Sequence, residues 1–240
     1  MYSKELRYYF STPVAYIVIG LYLLAVSLFL WLIPGEWNIP DSGYAQVDGL
    51  FRLSPWLFMF FCPALTMRLF AEEKQTDTWS LLCTKPYPLF RIVAEKMLAA
   101  WTVVVIAQLP CLIHYVLVYY LAEPIGNIDS GAFFGSFIGL FFLSLLFCSV
   151  GVFSSTLTRS QIVAFVTGLL LCFLLYWGFD LTASLFHNGS VVNGLQWMGI
   201  NHHYLSISRG VIDMSDIAYF LGVVLAFYLL SVLSLRLDRK

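Results

Sequence analysis

Two adjacent glutamates, Glu72 and Glu73, are the residues of this chain best suited by type to acid–base chemistry. A carboxylate pair in a water-filled membrane cavity could activate water, and a histidine could serve as base or metal ligand. The spacing argues against both. No His-Glu-x-x-His stretch occurs, so the common zinc hydrolase arrangement is missing. His187, His202 and His203 lie far along the chain from the glutamates, and His114 sits alone in an apolar run. The five cysteines, Cys62, Cys83, Cys111, Cys148 and Cys172, are scattered without metal-ligand spacing. They read as small apolar packing residues.

The glutamates are explained by position. A charge at the centre of a bilayer costs about 2.5–3.5 kcal/mol on insertion scales, so consecutive acids at the end of an apolar run mark its exit from hydrocarbon. A helix is predicted over residues 72–84, with Glu72, Glu73 and Asp77 early, where the helix dipole favours them, and Lys85 near its end. Trp79, Leu82 and Cys83 fall on one face, and Pro86 and Pro88 stop the helix. That stripe either lies on the bilayer surface or fits a groove on a partner, and spacing alone leaves both open. Paired glutamates also resemble those of prenyl-protein-type intramembrane proteases. Thr76 and Asp77 stand where that family needs an arginine, so catalysis is not expected. His114 and Asp180 are the remaining intramembrane polar residues, candidates for a polar path or simply a pair.

The elements that hold these residues follow from composition. Hydrophobic residues make up 60% of the chain and charged residues 11%, with a mean hydropathy of +0.82. Soluble domains carry about 25% charged residues, so this is an integral membrane protein. The apolar runs are long and do not alternate, which predicts an all-α protein. Six spans are predicted, at about 14–33, 50–70, 97–121, 132–153, 162–186 and 217–235, in one transmembrane domain. Residues 1–12 read as an interfacial helix. Residues 187–215 are too polar to span, and are expected as re-entrant or interfacial short helices or as a loop.

Lys and Arg set the orientation. Lys4, Arg7, Arg68, Lys74, Lys85, Arg91, Lys96, Arg159, Arg236, Arg239 and Lys240 fall on one side. The other side carries Glu36, Asp41, Asp48, Glu123, Asp129, Asp213 and Asp216, with Arg209 its one basic loop residue. Both termini and the connection between spans two and three are therefore expected in the cytoplasm. Nothing in the charge pattern points to nucleic acid. In the fourth span Gly131, Gly135 and Gly139 recur every four residues, a face that permits close helix approach within the chain or between copies.

Five stretches in order carry a resemblance: KELR with PVAY near the start, PALTMRLFAEEK at 63–74, GNIDSG with GSFIGL at 126–140, SSTLTRSQIVAF at 154–165 and HYLSISRGVID at 203–213. Across nearly its whole length the chain resembles permease subunits of type-2 ABC exporters, most closely the gliding-motility-associated permeases of the GldF type. In that family the cytoplasmic motif reads Glu-Glu-Lys, two residues, Gly-Thr, one residue, Glu-Leu-Leu. This chain keeps Glu72, Glu73, Lys74, Thr78, Leu81, Leu82 and Pro86, and has Asp77 for the glycine and Ser80 for the glutamate.

The resemblance implies a coupling helix in this region, Trp79 included. It also implies a bacterial inner membrane location and a partner ATPase (GldA-like) that holds ATP and Mg. A second membrane subunit (GldG-like) or a second copy of the chain would complete the complex in the lipid bilayer. No GxxxxGK[ST] phosphate loop is present, so ATP chemistry is expected elsewhere. An alternative role in the same complex is a membrane anchor or assembly scaffold.

Overall fold

The computed structural model describes residues 1–83, 87–186, 189–210 and 213–238, with the backbone alone at Leu81 and Cys83. Among these residues the chain is helical, without strands, and six helices are long and apolar enough to cross a membrane, as expected.

Helix α1, Tyr2–Ser11, precedes the first span and docks on the bundle through Tyr9, which is fully buried. Thr12 is extended, and Pro13, with its fixed φ, opens α2, Pro13–Trp31. A short turn of helix, α3 (Ile39–Ser42), follows, capped by the Asn38 side chain. The second span is α4, Asp48–Thr66, which bends at Met67 into α5, Arg68–Gln75. Pro63 has no N–H to give within α4, and the bend is held by a residue from another span. Ser155 Oγ accepts from the Phe70 and Ala71 amides at 3.0 and 3.1 Å and donates to the Met67 carbonyl at 2.8 Å.

After the short α6, Thr78–Cys83, the third span begins earlier than charge placement suggests. Pro88 sits at the cap of α7, Leu89–Gln108, and Arg91, Glu95 and Lys96 fall in its first two turns instead of before it. Pro110 then forces a 3₁₀ turn, Leu109–Cys111, before α8, Leu112–Leu121. Helix α9, Ser130–Leu157, starts on an Asp129 cap. The fifth span is α10, Gln161–Phe173, a π-helical turn, Leu174–Gly178, and α11, Phe179–Ala183. Two short helices, α12 (Gly189–Trp197) and α13 (Ile200–Ile207), occupy the predicted non-spanning segment. Helix α14, Met214–Leu237, is the last.

The core is built around α9. The most apolar part of that helix is 72% buried, against 28% for α2 and 17% for α14, whose outer faces carry exposed leucines, with Ile17 beside them on α2. Two of the three glycines on the α9 face, Gly135 and Gly139, are buried inside the chain, while Gly131 is exposed. A Cβ on Gly139 would lie 2.6 Å from Ile207 of α13, and one on Gly151 would lie 2.1 Å from Thr66 of α4. At the same end as Gly139, His203 of α13 is locked to α14 by Asp216 Oδ1 at 2.6 Å and to the Trp197 carbonyl at 2.8 Å. Tyr219 stacks on the ring with centroids 4.0 Å apart.

Candidate functional site

The predicted coupling residues gather at the end of the bundle formed by α1, α5, α6, the start of α7 and the C-terminal ends of α9 and α14. The single helix expected over residues 72–84 is instead two helices joined at an elbow. Thr76 closes α5 with its amide on the Glu72 carbonyl at 2.9 Å, and Asp77 then takes a left-handed φ of 55° before α6 begins. This is the position where the resembling family has glycine, the residue that adopts such a φ without steric cost. The second departure from the motif is tied to the first, because Ser80 Oγ donates to the Asp77 carbonyl at 2.7 Å. Asp77→Gly is therefore expected to stabilise the chain by about 0.5–1 kcal/mol, seen as a higher midpoint in thermal unfolding in detergent.

Two lysines key the elbow to the spans. Lys96, 1% exposed, donates from Nζ to Glu73 Oε1 and to the Leu69 carbonyl, both at 2.7 Å, and lies 3.3 Å from Glu5 Oε1. One ammonium thus joins α1, α5 and α7. Lys74 donates to the Thr156 carbonyl at the end of α9 and to the Asp238 carboxylate just past α14. Glu72 and Glu73 do different things: Glu73 is held by Lys96, whereas Glu72 forms no ion pair among the described residues. Their arrangement is that of a structural lock. Among the described residues no group of three His, Cys, Asp or Glu side chains is placed to hold a metal ion.

The apolar stripe of α6 is turned inward. Trp79 and Leu82 are 8% and 9% exposed, and Trp79 meets Phe70 of α5 edge to face with centroids 5.8 Å apart. Neither of the two placements left open by spacing, bilayer surface or partner groove, is the one adopted here. The reason is the elbow: reversing the chain at Asp77 folds α6 back onto α5, and its apolar face covers the core. What the elbow offers to solvent is Gln75, Thr76, Asp77, Thr78 and Ser80, with Thr78 Oγ1 also reaching the Glu73 carbonyl at 3.3 Å. Beside it opens a recess of about 310 Å³, lined by Lys74, Asp77, Trp79, Ser80, Arg159 and Asp238. The Trp79 indole N–H has no hydrogen-bond partner among the described residues. Pro86 lies outside the described residues, as does Lys85.

His114 and Asp180 are not brought together. His114 Nδ1 accepts from the Trp31 indole at 3.0 Å, joining α8 to the end of α2. Asp180 accepts from Asn201 Nδ2 at 2.7 Å, joining α11 to α13. Sequence reasoning did not anticipate Lys96, Glu5, Asp238 or Ser155 as parts of the site. Their spacing from residues 72–84 carries no signal, because each contact crosses between distant spans.

Residues 56–240 match the family described as ABC-2 family transporter protein. A search of curated proteins found no match.

Proposed function

From the premise that the chain belongs to the ABC-2 family of transporter proteins, we propose that it is the permease subunit of an ATP-driven exporter of the gliding-motility (GldF) type. In this reading the elbow end of the bundle faces the cytoplasm of a bacterial inner membrane, with both termini on that side, in keeping with the Lys and Arg distribution. A separate GldA-like ATPase, holding ATP and Mg, docks at the elbow, and a GldG-like subunit or second copy completes the complex. ATP hydrolysis belongs to that partner subunit.

The observation that carries the coupling role is the pair of lysine locks. Lys96 and Lys74 tie the α5–α6 elbow to α1, α7, α9 and α14 through polar contacts that do not slide. A push on the elbow is then passed to several spans together. The recess beside Trp79 supplies a seat for a side chain of the ATPase, the chain offering the hole and the partner the knob.

The test has two parts. A Gln75→Cys chain with Cys83→Ser should react with a membrane-impermeant maleimide only when the cytoplasmic side is opened; Gln75 is exposed. Ser80→Arg together with Arg159→Glu, both at exposed rim positions, should weaken co-purification of the ATPase at least tenfold without lowering the permease's melting temperature. Labelling from outside, or undiminished association, would overturn the reading. Trp79→Asp is not a clean probe, since it places a charge in the core.

A further inference from the structure

Beside the lysine lock, between α1 and α5, is a cavity of about 280 Å³ that the coupling role leaves unused. Lys4, Glu5, Arg68, Glu72, Glu73 and Lys96 contribute its charged lining. Lys96 bridges Glu5 and Glu73, and the lining as a whole holds three cations and three carboxylates in balance. Lys4, Arg68 and Glu72 form no ion pair among the described residues.

Arg68 is held ready. Its guanidinium stands 4.0 Å from the Tyr8 ring centroid and 4.5 Å from that of Tyr9, a setting that fixes its plane. Nη2 has no hydrogen-bond partner within the described residues. A guanidinium and an ammonium beside a carboxylate outside the Lys96 bridge match a phosphodiester joined to a primary amine. The cavity also lies where α4 and α5 leave the apolar zone, against α1 with its half-exposed Tyr8, which is the depth of lipid headgroups.

The geometry points to a phosphoethanolamine headgroup site for a membrane phospholipid, with the phosphate on Arg68 and Lys4 and the amine on Glu72. The site needs only that the chain spans a bilayer, so it stands or falls separately from the coupling role and from the orientation. Phosphatidylcholine shares the phosphate, but its quaternary nitrogen has no N–H to donate to Glu72.

Native mass spectrometry of the purified full chain in detergent tests this with dioctanoyl phosphatidylethanolamine, dioctanoyl phosphatidylcholine, O-phosphoethanolamine and inorganic phosphate as probes. The ethanolamine lipid should be retained at least fivefold better than the choline lipid, and Arg68→Gln should abolish its retention. Glu72→Gln, at a partly exposed position with no ion pair among the described residues, should remove the preference between the two lipids even if Arg68→Gln disturbs the packing on Tyr8 and Tyr9. Equal retention of both lipids, or a preference untouched by Glu72→Gln, would overturn the assignment. Binding of O-phosphoethanolamine or inorganic phosphate as tight as that of the lipid would assign the site to a free phosphate compound and overturn the lipid.

Discussion

Replacing Lys96 with methionine should cost the chain about 3–5 kcal/mol, the range for removing one partner of a buried ion pair. The side chain is 1% exposed and its ammonium has three oxygen neighbours, the Leu69 carbonyl and the carboxylates of Glu73 and Glu5. Methionine fills the space and leaves all three without a cation. Glu73 Oε2 already lacks a partner among the described residues, so the carboxylate has no second anchor to fall back on. The Phe70 ring, 5.0 Å from the ammonium, loses its cation as well.

A thermal unfolding midpoint within about a degree of wild type would contradict this account. The companion variant Lys96→Met with Glu73→Leu should recover much of the loss, because the penalty comes from the stranded carboxylate more than from the missing attraction. Lys74→Met should cost less. Its carboxylate partner, Asp238, is 45% exposed and can be solvated when the ammonium is gone.

Lys96 also shows where reading the sequence stops. Hydropathy and charge placed six spans and located the stretch at which the second span leaves the membrane, because both depend on local composition. The same reasoning counts Lys96 only toward the orientation, and Lys74 toward the orientation and the family motif, both as surface charges. They are buried, and what permits that is Glu5, Asp238 and the Thr156 carbonyl, none of which is near them in sequence. Trp79 and Leu82 have helical spacing that predicts one shared face, but spacing gives no direction in space. The direction is set by the left-handed Asp77, which folds α6 back on α5. Aspartate reverses a chain less readily than glycine, so the turn is weakly signalled here. The departure from the family motif and the conformation that explains it are the same residue.

The other large effect is expected at the opposite end of the bundle, at Gly210. Its φ is +82°, a region side-chain-bearing residues rarely enter. A Cβ there would lie 2.2 Å from the Ala132 Cα and 3.1 Å from the Ala132 carbonyl carbon, both backbone atoms of the first turn of α9. The approach is mutual, since a Cβ on Gly135 would lie 2.9 Å from the Gly210 carbonyl oxygen. Ser136 fixes the register by donating to the Ser208 carbonyl at 2.9 Å. Neither backbone can yield without lifting the turn after α13 off α9.

Gly210→Ala should therefore destabilise by about 3 kcal/mol or more, combining overpacking of about 1–3 kcal/mol with the backbone penalty of a non-glycine residue at positive φ. Gly222→Ala in α14 is the control. No atom lies within 4 Å of its added Cβ, so it should be neutral or gain about 0.5–1 kcal/mol of helix propensity. Hydrogen exchange gives the finer reading. The His203–Asp216 contact holds α13 to α14 independently of α9. In Gly210→Ala, exchange should rise in the first turns of α9 and in the turn after α13, while the amides at the start of α14 keep their protection. If the alanine variant melts with wild type, the close approach of Gly210 to Ala132 is not what seats the outer helices.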